Sequence, residues 1–149
     1  MVSGAEKSAL STSKICGLLT RLPEAITPGI LVVDDHRVAR TTVRALLDAH
    51  DLVICGEAED GKNALEQVKA LKPDLVLLDI NMPVMNGIQT AFEIRRLAPT
   101  TKILFFTVQE CTPEAEAAVR LLGVQGFVSK SEAGTQLVPA VRRLLYSEL

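Results

Sequence analysis

Short apolar runs recur along the chain from residue 30 onward, and a segment with helical periodicity follows each of them. The five runs are residues 30–33, 52–55, 75–78, 103–106 and 126–128. Runs of three or four apolar residues, without alternating polar side chains, are typical of parallel strands that are buried on both faces. Five repeats of strand and helix therefore predict an α/β fold, in which helices cover both faces of one five-stranded parallel sheet.

The intervening segments predict five helices. They are residues 36–49, residues 61–71, residues 87–98, a segment that opens at residue 113, and residues 132–147. Asp60 is placed to cap the second helix, and Thr112 followed by Pro113 is a favourable start for the fourth. Pro139 leaves the start of the last helix open, because proline is tolerated best in a first helical turn.

The first 28 residues differ in composition from the rest of the chain. They are rich in Ser, Thr, Ala and Gly, and they end at Pro28, which precedes Gly29. A Pro-Gly pair interrupts regular structure. We therefore divide the chain into a leader of residues 1–28 and one domain of residues 29–149. The leader is either a flexible segment or carries a short helix around residues 13–22, and the sequence leaves both interpretations open.

Composition limits the partners and the location of the protein. Hydrophobic residues make up 48% of the chain, enough for one core, and the formal net charge of −2 gives no basic excess. Direct nucleic-acid binding by this chain is therefore not expected. No apolar run approaches the ~20 residues that cross a bilayer, and the leader lacks the continuous apolar stretch of a signal peptide. Three scattered cysteines show no metal-ligand spacing. These features predict a cytoplasmic protein that does not associate with membranes.

Charged or polar side chains come after four of the five predicted strands. They are, in chain order, Asp34 and Asp35, Asp79, Thr107 and Lys130. Because the carboxyl ends of parallel strands meet at one edge of the sheet, where α/β proteins bind ligands, we expect these side chains to lie together. The second strand is followed by Gly56, Glu57 and Ala58, for which the sequence indicates no role.

These residue types suit phosphoryl transfer. Crowded carboxylates repel one another unless a cation or protons neutralise them, and Mg²⁺ prefers such oxygen ligands. Asp79 can act as a nucleophile that forms an aspartyl phosphate, while Lys130 and Thr107 can contact phosphoryl oxygens. A single Asp after a strand is more often a helix cap, and Asp35 alone can cap the first helix. The whole set at one edge is much harder to explain in that way.

Four segments resemble the receiver domain family of bacterial two-component signalling, and most closely its NarL/FixJ type. They are ILVVDD (30–35), PDLVLLDINMPVMNG (73–87), ILFFT (103–107) and GFVSK (126–130), and they match the family's motifs in order and spacing. The resemblance covers residues 29–147. It implies a doubly wound (βα)5, flavodoxin-like three-layer sandwich with a five-stranded parallel sheet.

The resemblance also implies a role for each matching residue of the acidic site. Asp79 corresponds to the phosphoacceptor, Asp35 to a direct metal ligand, and Asp34 to a ligand that acts largely through water. Asn81 corresponds to the residue whose backbone carbonyl completes the metal site. The implied cofactor is Mg²⁺ or another divalent cation such as Mn²⁺.

The remaining matches concern the phosphoryl group and the switch. Thr107 and Lys130 correspond to the residues that grip the phosphoryl oxygens. Phe127 corresponds to an aromatic residue that turns inward on activation together with Thr107; the alternative is that it is an ordinary core residue. Met82, Pro83 and Gly87 correspond to the turn that shapes the loop after the phosphoacceptor.

The implied function is a signalling switch rather than a metabolic enzyme. The donor is a sensor histidine kinase or a histidine phosphotransfer protein, and hydrolysis of the aspartyl phosphate is at most slow. Phosphorylation changes the surface around the fourth helix, the fifth strand and the last helix. Output then passes through protein contacts, including a homodimer, or through a domain absent from this chain.

Two alternatives are disfavoured. A phosphohydrolase with an Asp nucleophile typically has a second Asp where this chain has Asn81. A degenerate receiver that binds partners without phosphorylation is at odds with the intact set of acceptor, acidic pair, threonine and lysine.

Several positions depart from the family pattern or lie near the motifs without matching them. Val108 follows Thr107 where the family favours a small side chain, so we expect it to narrow the approach to Asp79. Ser131 stands where a proline is frequent. His36 and His50 are interpreted as surface or capping side chains.

Overall fold

A computed structural model of the protein describes residues 27–108, residue 110 and residues 112–146. The helix considered around residues 13–22 lies outside the described residues. Five strands form one parallel sheet in the order β2-β1-β3-β4-β5. They are β1 (Gly29–Val33), β2 (Val53–Ala58), β3 (Leu75–Leu78), β4 (Lys102–Thr107) and β5 (Gly126–Ser129). The strand order reverses between β1 and β3, which is where a doubly wound sheet opens a crevice for a ligand.

Five α-helices alternate with the strands. They are α1 (Arg37–Asp48), α2 (Gly61–Leu71), α3 (Gly87–Leu97), α4 (Pro113–Leu122) and α5 (Val138–Tyr146). Successive side chains of a strand point to opposite faces of the sheet. Ile30 and Val32 therefore pack with α1 and α5 on one face, whereas Leu31 and Val33 pack with α2, α3 and α4 on the other. The two apolar cores enclose the sheet, so the predicted three-layer α/β sandwich is confirmed.

Local capping explains where three of the helices begin. The Asp60 side chain accepts a 2.7 Å hydrogen bond from Asn63 N at the start of α2. Thr112 accepts one of 3.1 Å from Ala115 N at the start of α4, with Pro113 in the first turn. Both caps were predicted, and both are confirmed. A reciprocal capping box, Asn86 with Gln89, begins α3 and was not anticipated from the sequence.

The second strand is longer than predicted. β2 continues through Gly56, Glu57 and Ala58, which pair with Leu31–Val33 of β1 rather than following the strand. The prediction ended the strand at Cys55 because the next residues are not apolar. β2 is an edge strand, however, and an edge strand tolerates polar residues because it is only partly covered.

The last helix begins later than predicted. A 3₁₀ turn (Lys130–Glu132) and a π-helical turn (Ala133–Leu137) precede α5, which starts at Val138 with Pro139 in its first turn. The proline thus takes the position that its missing N–H allows. Within the described part of the chain, no helix has both the length and the hydropathy to cross a membrane.

Candidate functional site

Buried charges meet at the carboxyl edge of the sheet, where β1 and β3 lie side by side. Asp34 directly follows β1 and Asp79 directly follows β3, and both residues are less than 5% exposed. The ammonium group of Lys130, in the turn after β5, donates a hydrogen bond to Asp34 Oδ2 and a second, of 3.3 Å, to Asp79 Oδ2. The fold therefore brings into contact three of the residues that were predicted to lie at this edge of the sheet.

Asp35 faces the same cluster. Its Oδ1 atom is buried and accepts no hydrogen bond, and the ring Nδ1 of His36 lies 3.1 Å from it. The interpretation of Asp35 as the cap of the first helix is wrong, because the N-cap residue of α1 is His36, whose side chain makes no capping bond. The Asp35 carboxylate therefore lies at the sheet edge beside the ring of His36, within the group of side chains that can contact a ligand there.

The Asp79 carboxylate has its own set of neighbours. Asn81 N donates a 3.3 Å hydrogen bond to Asp79 Oδ1, and the fully buried Thr107 hydrogen bonds the same carboxylate. Burial raises the pKa of Asp79 above its ordinary value, and the nearby charge of Asp34 adds to this effect. Three neighbours lower the pKa of Asp79, since each stabilises the ionised form; they are Lys130, Thr107 and Asn81.

The donor atoms of this cluster fit a divalent cation. Four side chains each offer one ligand atom, and these atoms all lie within 4.8 Å of one another; they belong to Asp34, Asp35, His36 and Asp79. Carboxylate oxygens are the ligands that Mg²⁺ and Mn²⁺ favour in proteins. The buried Asp35 Oδ1, which accepts no hydrogen bond, is the observation that best supports the fit, because a bound cation would coordinate it.

Comparison with known proteins agrees with this geometry. The sequence model of the response regulator receiver domain matches residues 30–142. The chain belongs to this family. The resemblance to NarL-type receivers is also confirmed: the chain is 34% identical over 121 residues to the nitrate/nitrite response regulator NarL of Escherichia coli K12, covering 80% of this chain and 56% of that protein.

Two further relatives differ in how much of their length the receiver spans. The protein CcdB of Bacillus subtilis 168 is 36% identical over 116 residues, which cover 78% of this chain and 96% of CcdB. A crystal structure of a LuxR-family two-component response regulator from an Aurantimonas species aligns with a TM-score of 0.76 and 29% identity, covering 81% of this chain and 86% of that one. The chain thus spans about half the length of NarL but nearly all of CcdB.

The loop after the third strand of the receiver is closed by a backbone hydrogen bond between its two ends. Gly87 N donates a 2.8 Å hydrogen bond to Ile80 O, which closes the loop between Asp79 and α3. Val84, near the middle of this loop, is exposed and has a φ of 68°. A β-branched residue in the left-handed region is strained, and such strain is frequent beside functional sites.

The two other positions that the sequence singled out lie on β5 and just after β4 of the receiver. Phe127, on β5, is partly buried and packs against the apolar core on the side of α2, α3 and α4. Its role as a switch aromatic stays a prediction. Val108 follows the buried Thr107 and is 67% exposed. Whether it narrows the approach to Asp79 also stays a prediction.

The sequence analysis missed the residues that support the acidic turn of the receiver from behind. Arg40 Nη1 donates a 2.6 Å hydrogen bond to Asp34 O, and Arg40 Nε lies 3.1 Å from Glu57 Oε1. Arg44 Nη2 contacts Glu57 Oε2 at 2.7 Å. Gln67 Nε2 completes the network with a 2.5 Å bond to Glu57 O. Glu57 therefore has a role, contrary to the sequence analysis, because it links α1, α2 and β2 behind Asp34. The available signal was the pair of arginines four residues apart, which share one helix face.

Proposed function

We propose that this receiver is a phosphate-accepting switch of a two-component phosphorelay, with Asp79 as the acceptor. The observation that carries the proposal is the contact of one buried carboxylate, Asp79, with both Lys130 and Thr107, beside the acidic pair that follows β1. Membership of the receiver family supports the same function.

The residues divide the chemistry between them. An ionised carboxylate oxygen of Asp79 attacks the phosphorus of a phosphohistidine, the P–N bond breaks, and its electron pair returns to the donor imidazole. Lys130 and Thr107 then contact oxygens of the transferred group. Asp34, Asp35, Asp79 and the carbonyl of Asn81 would hold a divalent cation, Mg²⁺ or Mn²⁺, which supplies positive charge to the phosphoryl oxygens.

The proposal extends to partners and output. The donor is a sensor histidine kinase or a histidine phosphotransfer protein, and the receiver acts as a switch with at most slow hydrolysis of its own aspartyl phosphate. The phosphoryl group would favour one of two positions of the Thr107 and Phe127 side chains. These side chains would in turn change the surface formed by α4, β5 and α5. Such a change requires phosphorylation to stabilise one of two pre-existing conformations by only a few kcal/mol relative to the other. The altered surface would contact a partner protein, a second copy of the chain or a domain absent from this chain.

Labelling by a small phosphodonor tests the proposal. We expect acetyl phosphate with millimolar Mg²⁺ to add the mass of one phosphoryl group to the intact protein, because the site binds the small donor's phosphoryl group as it would the natural one. Chelation of Mg²⁺ should suppress the addition. A protein that gains no mass, or gains it equally with and without the chelator, would contradict the proposal.

The support from Arg40 gives a second prediction. Arg40→Met keeps the length of the side chain but removes its bond to Asp34 O, so the acidic turn loses its fixed orientation. We expect Mg²⁺ affinity, measured by titration calorimetry, to fall about tenfold, the scale usual for residues that orient metal ligands.

Arg44→Met is the matched control for this prediction. Arg44 contacts the same Glu57 but makes no bond to Asp34, so its loss should change Mg²⁺ affinity by less than about twofold. Equal effects of the two variants would mean that Arg40 acts only through the general stability of α1, and not on the acidic turn.

A further inference from the structure

The imidazole of His36 lies against the acidic pair. His36 Nδ1 is 3.1 Å from Asp35 Oδ1 and 3.4 Å from Asp34 Oδ1. The backbone N of His36 also donates a 2.9 Å hydrogen bond to Asp34 Oδ1, which fixes the residue beside this carboxylate by its main chain. The side chain remains 70% exposed, as the sequence analysis expected of a surface residue, and although His36 is the N-cap residue of α1, its side chain makes no capping hydrogen bond.

These separations are those of neighbouring ligands on one metal ion. Ligand atoms ~2.1 Å from an octahedral ion and at right angles to each other are about 3.0 Å apart. The two distances from Nδ1 are close to this value, and Asp79 contributes a fourth ligand atom within 4.8 Å of the others. Asp35 Oδ1 is buried and accepts no hydrogen bond, and its 3.1 Å separation from the ring nitrogen fits two neighbouring ligands of one ion as well as an ion pair with a protonated ring.

We propose that His36 Nδ1 is an additional ligand of the divalent cation site and makes the site selective for metals that bind imidazole. Neutral imidazole is a good ligand for Co²⁺, Ni²⁺ and Zn²⁺, whereas Mg²⁺ prefers oxygen. The receiver would then bind Co²⁺ more tightly than an all-oxygen site of the same charge does, without losing Mg²⁺. The inference rests on the proposed function, because it concerns the same metal site.

A different arrangement would place the same ring at the same distances. A protonated imidazole beside two carboxylates is a counter-ion, and it would compete with any incoming cation. The two arrangements predict opposite changes in metal affinity when the imidazole is removed. Removal of a ligand weakens the binding of Co²⁺ selectively, whereas removal of a competing charge strengthens the binding of Mg²⁺ and Co²⁺ alike.

The test compares His36→Gln with wild type in calorimetric titrations with Mg²⁺ and with Co²⁺, using untagged protein at one mildly alkaline pH. Glutamine keeps a polar side chain but offers no imidazole nitrogen. The sequence holds only two histidines, so His50→Gln is the matched control for loss of an imidazole away from the site. We expect His36→Gln to lower Co²⁺ affinity about tenfold and to change Mg²⁺ affinity by less than about twofold.

Proton NMR of the Co²⁺ form supplies a readout of the bond itself. An imidazole bound to paramagnetic Co²⁺ gives a strongly shifted, exchangeable N–H resonance, which we expect in wild type and His50→Gln but not in His36→Gln. Equal changes for both metals, no change for either, or a resonance that survives in His36→Gln would each overturn the proposal. Failure of wild type to bind Mg²⁺ at all would instead overturn the metal site of the proposed function, and this inference with it.

Discussion

Asp79→Asn is expected to abolish phosphoryl labelling by acetyl phosphate. The amide has nearly the shape of the carboxylate and can still accept the hydrogen bond from Asn81 N, so the loop after β3 keeps its contact. A neutral amide oxygen is a poor nucleophile, however, and the variant has no other ionised oxygen at this position. The expected result is therefore loss of the mass gain, and not merely a slower gain.

The fold of this variant should be intact. Asn removes one of three crowded carboxylates, which relieves repulsion in the absence of a metal, and Lys130 retains its bond to Asp34. We expect the midpoint of thermal unfolding without Mg²⁺ to be unchanged or raised.

Asp48→Asn, at the exposed end of α1, is the control for loss of a carboxylate elsewhere, and it should label as wild type does. If Asp79→Asn gains the phosphoryl mass at an undiminished rate, the acceptor is another residue, and peptide mapping would identify it.

The sheet could be predicted because its central strands are recognisable from their apolar composition alone. Residues 75–78 are apolar throughout and buried on both faces, and β3 has these bounds in the structure. β2 could not be delimited in this way. Its outer half contains Gly56 and Glu57, whose place in the strand depends on pairing with β1, and pairing is not visible in the local composition.

The start of the last helix depends on contacts that are distant in sequence. The π-helical turn before α5 buries Leu137 in the core on the side of α1. Helical periodicity alone does not distinguish such a turn from the first turns of an α-helix, so the prediction began the helix at residue 132.

The acidic site could be predicted only in part, for a similar reason. Asp34 and Asp79 directly follow strands and Thr107 is the last residue of one, so parallel topology is sufficient to bring them to one edge. Arg40 acts from α1, and its contacts depend on how that helix lies over β1 and β2, whereas His36 acts from the position just before the helix, where the backbone turn sets the direction of its ring. No spacing in the sequence fixes that orientation. This explains why the supporting network and the imidazole became apparent only in the structure.

The second large effect is expected from Gly87→Ala. A Cβ atom at residue 87 would lie 2.2 Å from Asp79 O and 2.6 Å from Ile80 Cα, and neither backbone atom can swing aside. Without this clash, alanine would favour the helix over glycine by up to ~1 kcal/mol. With it, α3 must move away or the end of β3 must distort. We expect the free energy of unfolding to fall by about 3 kcal/mol, as in severe overpacking, and the midpoint to fall by about 8 °C.

Two other glycines turn this prediction into a graded series, measured by urea unfolding. A Cβ atom at Gly134 would meet nothing within 4 Å, so Gly134→Ala should be neutral or slightly stabilising. At Gly61 the nearest atoms, Thr90 Oγ1 at 2.5 Å and Met85 Sδ at 2.7 Å, belong to side chains, of which the methionine can adjust most easily. The stability of Gly61→Ala should therefore fall between those of the other two variants.

Because Gly87 touches the backbone of Asp79 itself, Gly87→Ala should also slow labelling by acetyl phosphate at least tenfold under conditions where the variant is still folded. A Gly87→Ala protein that is as stable as Gly134→Ala and labels at the wild-type rate would show that α3 can withdraw without moving the acceptor.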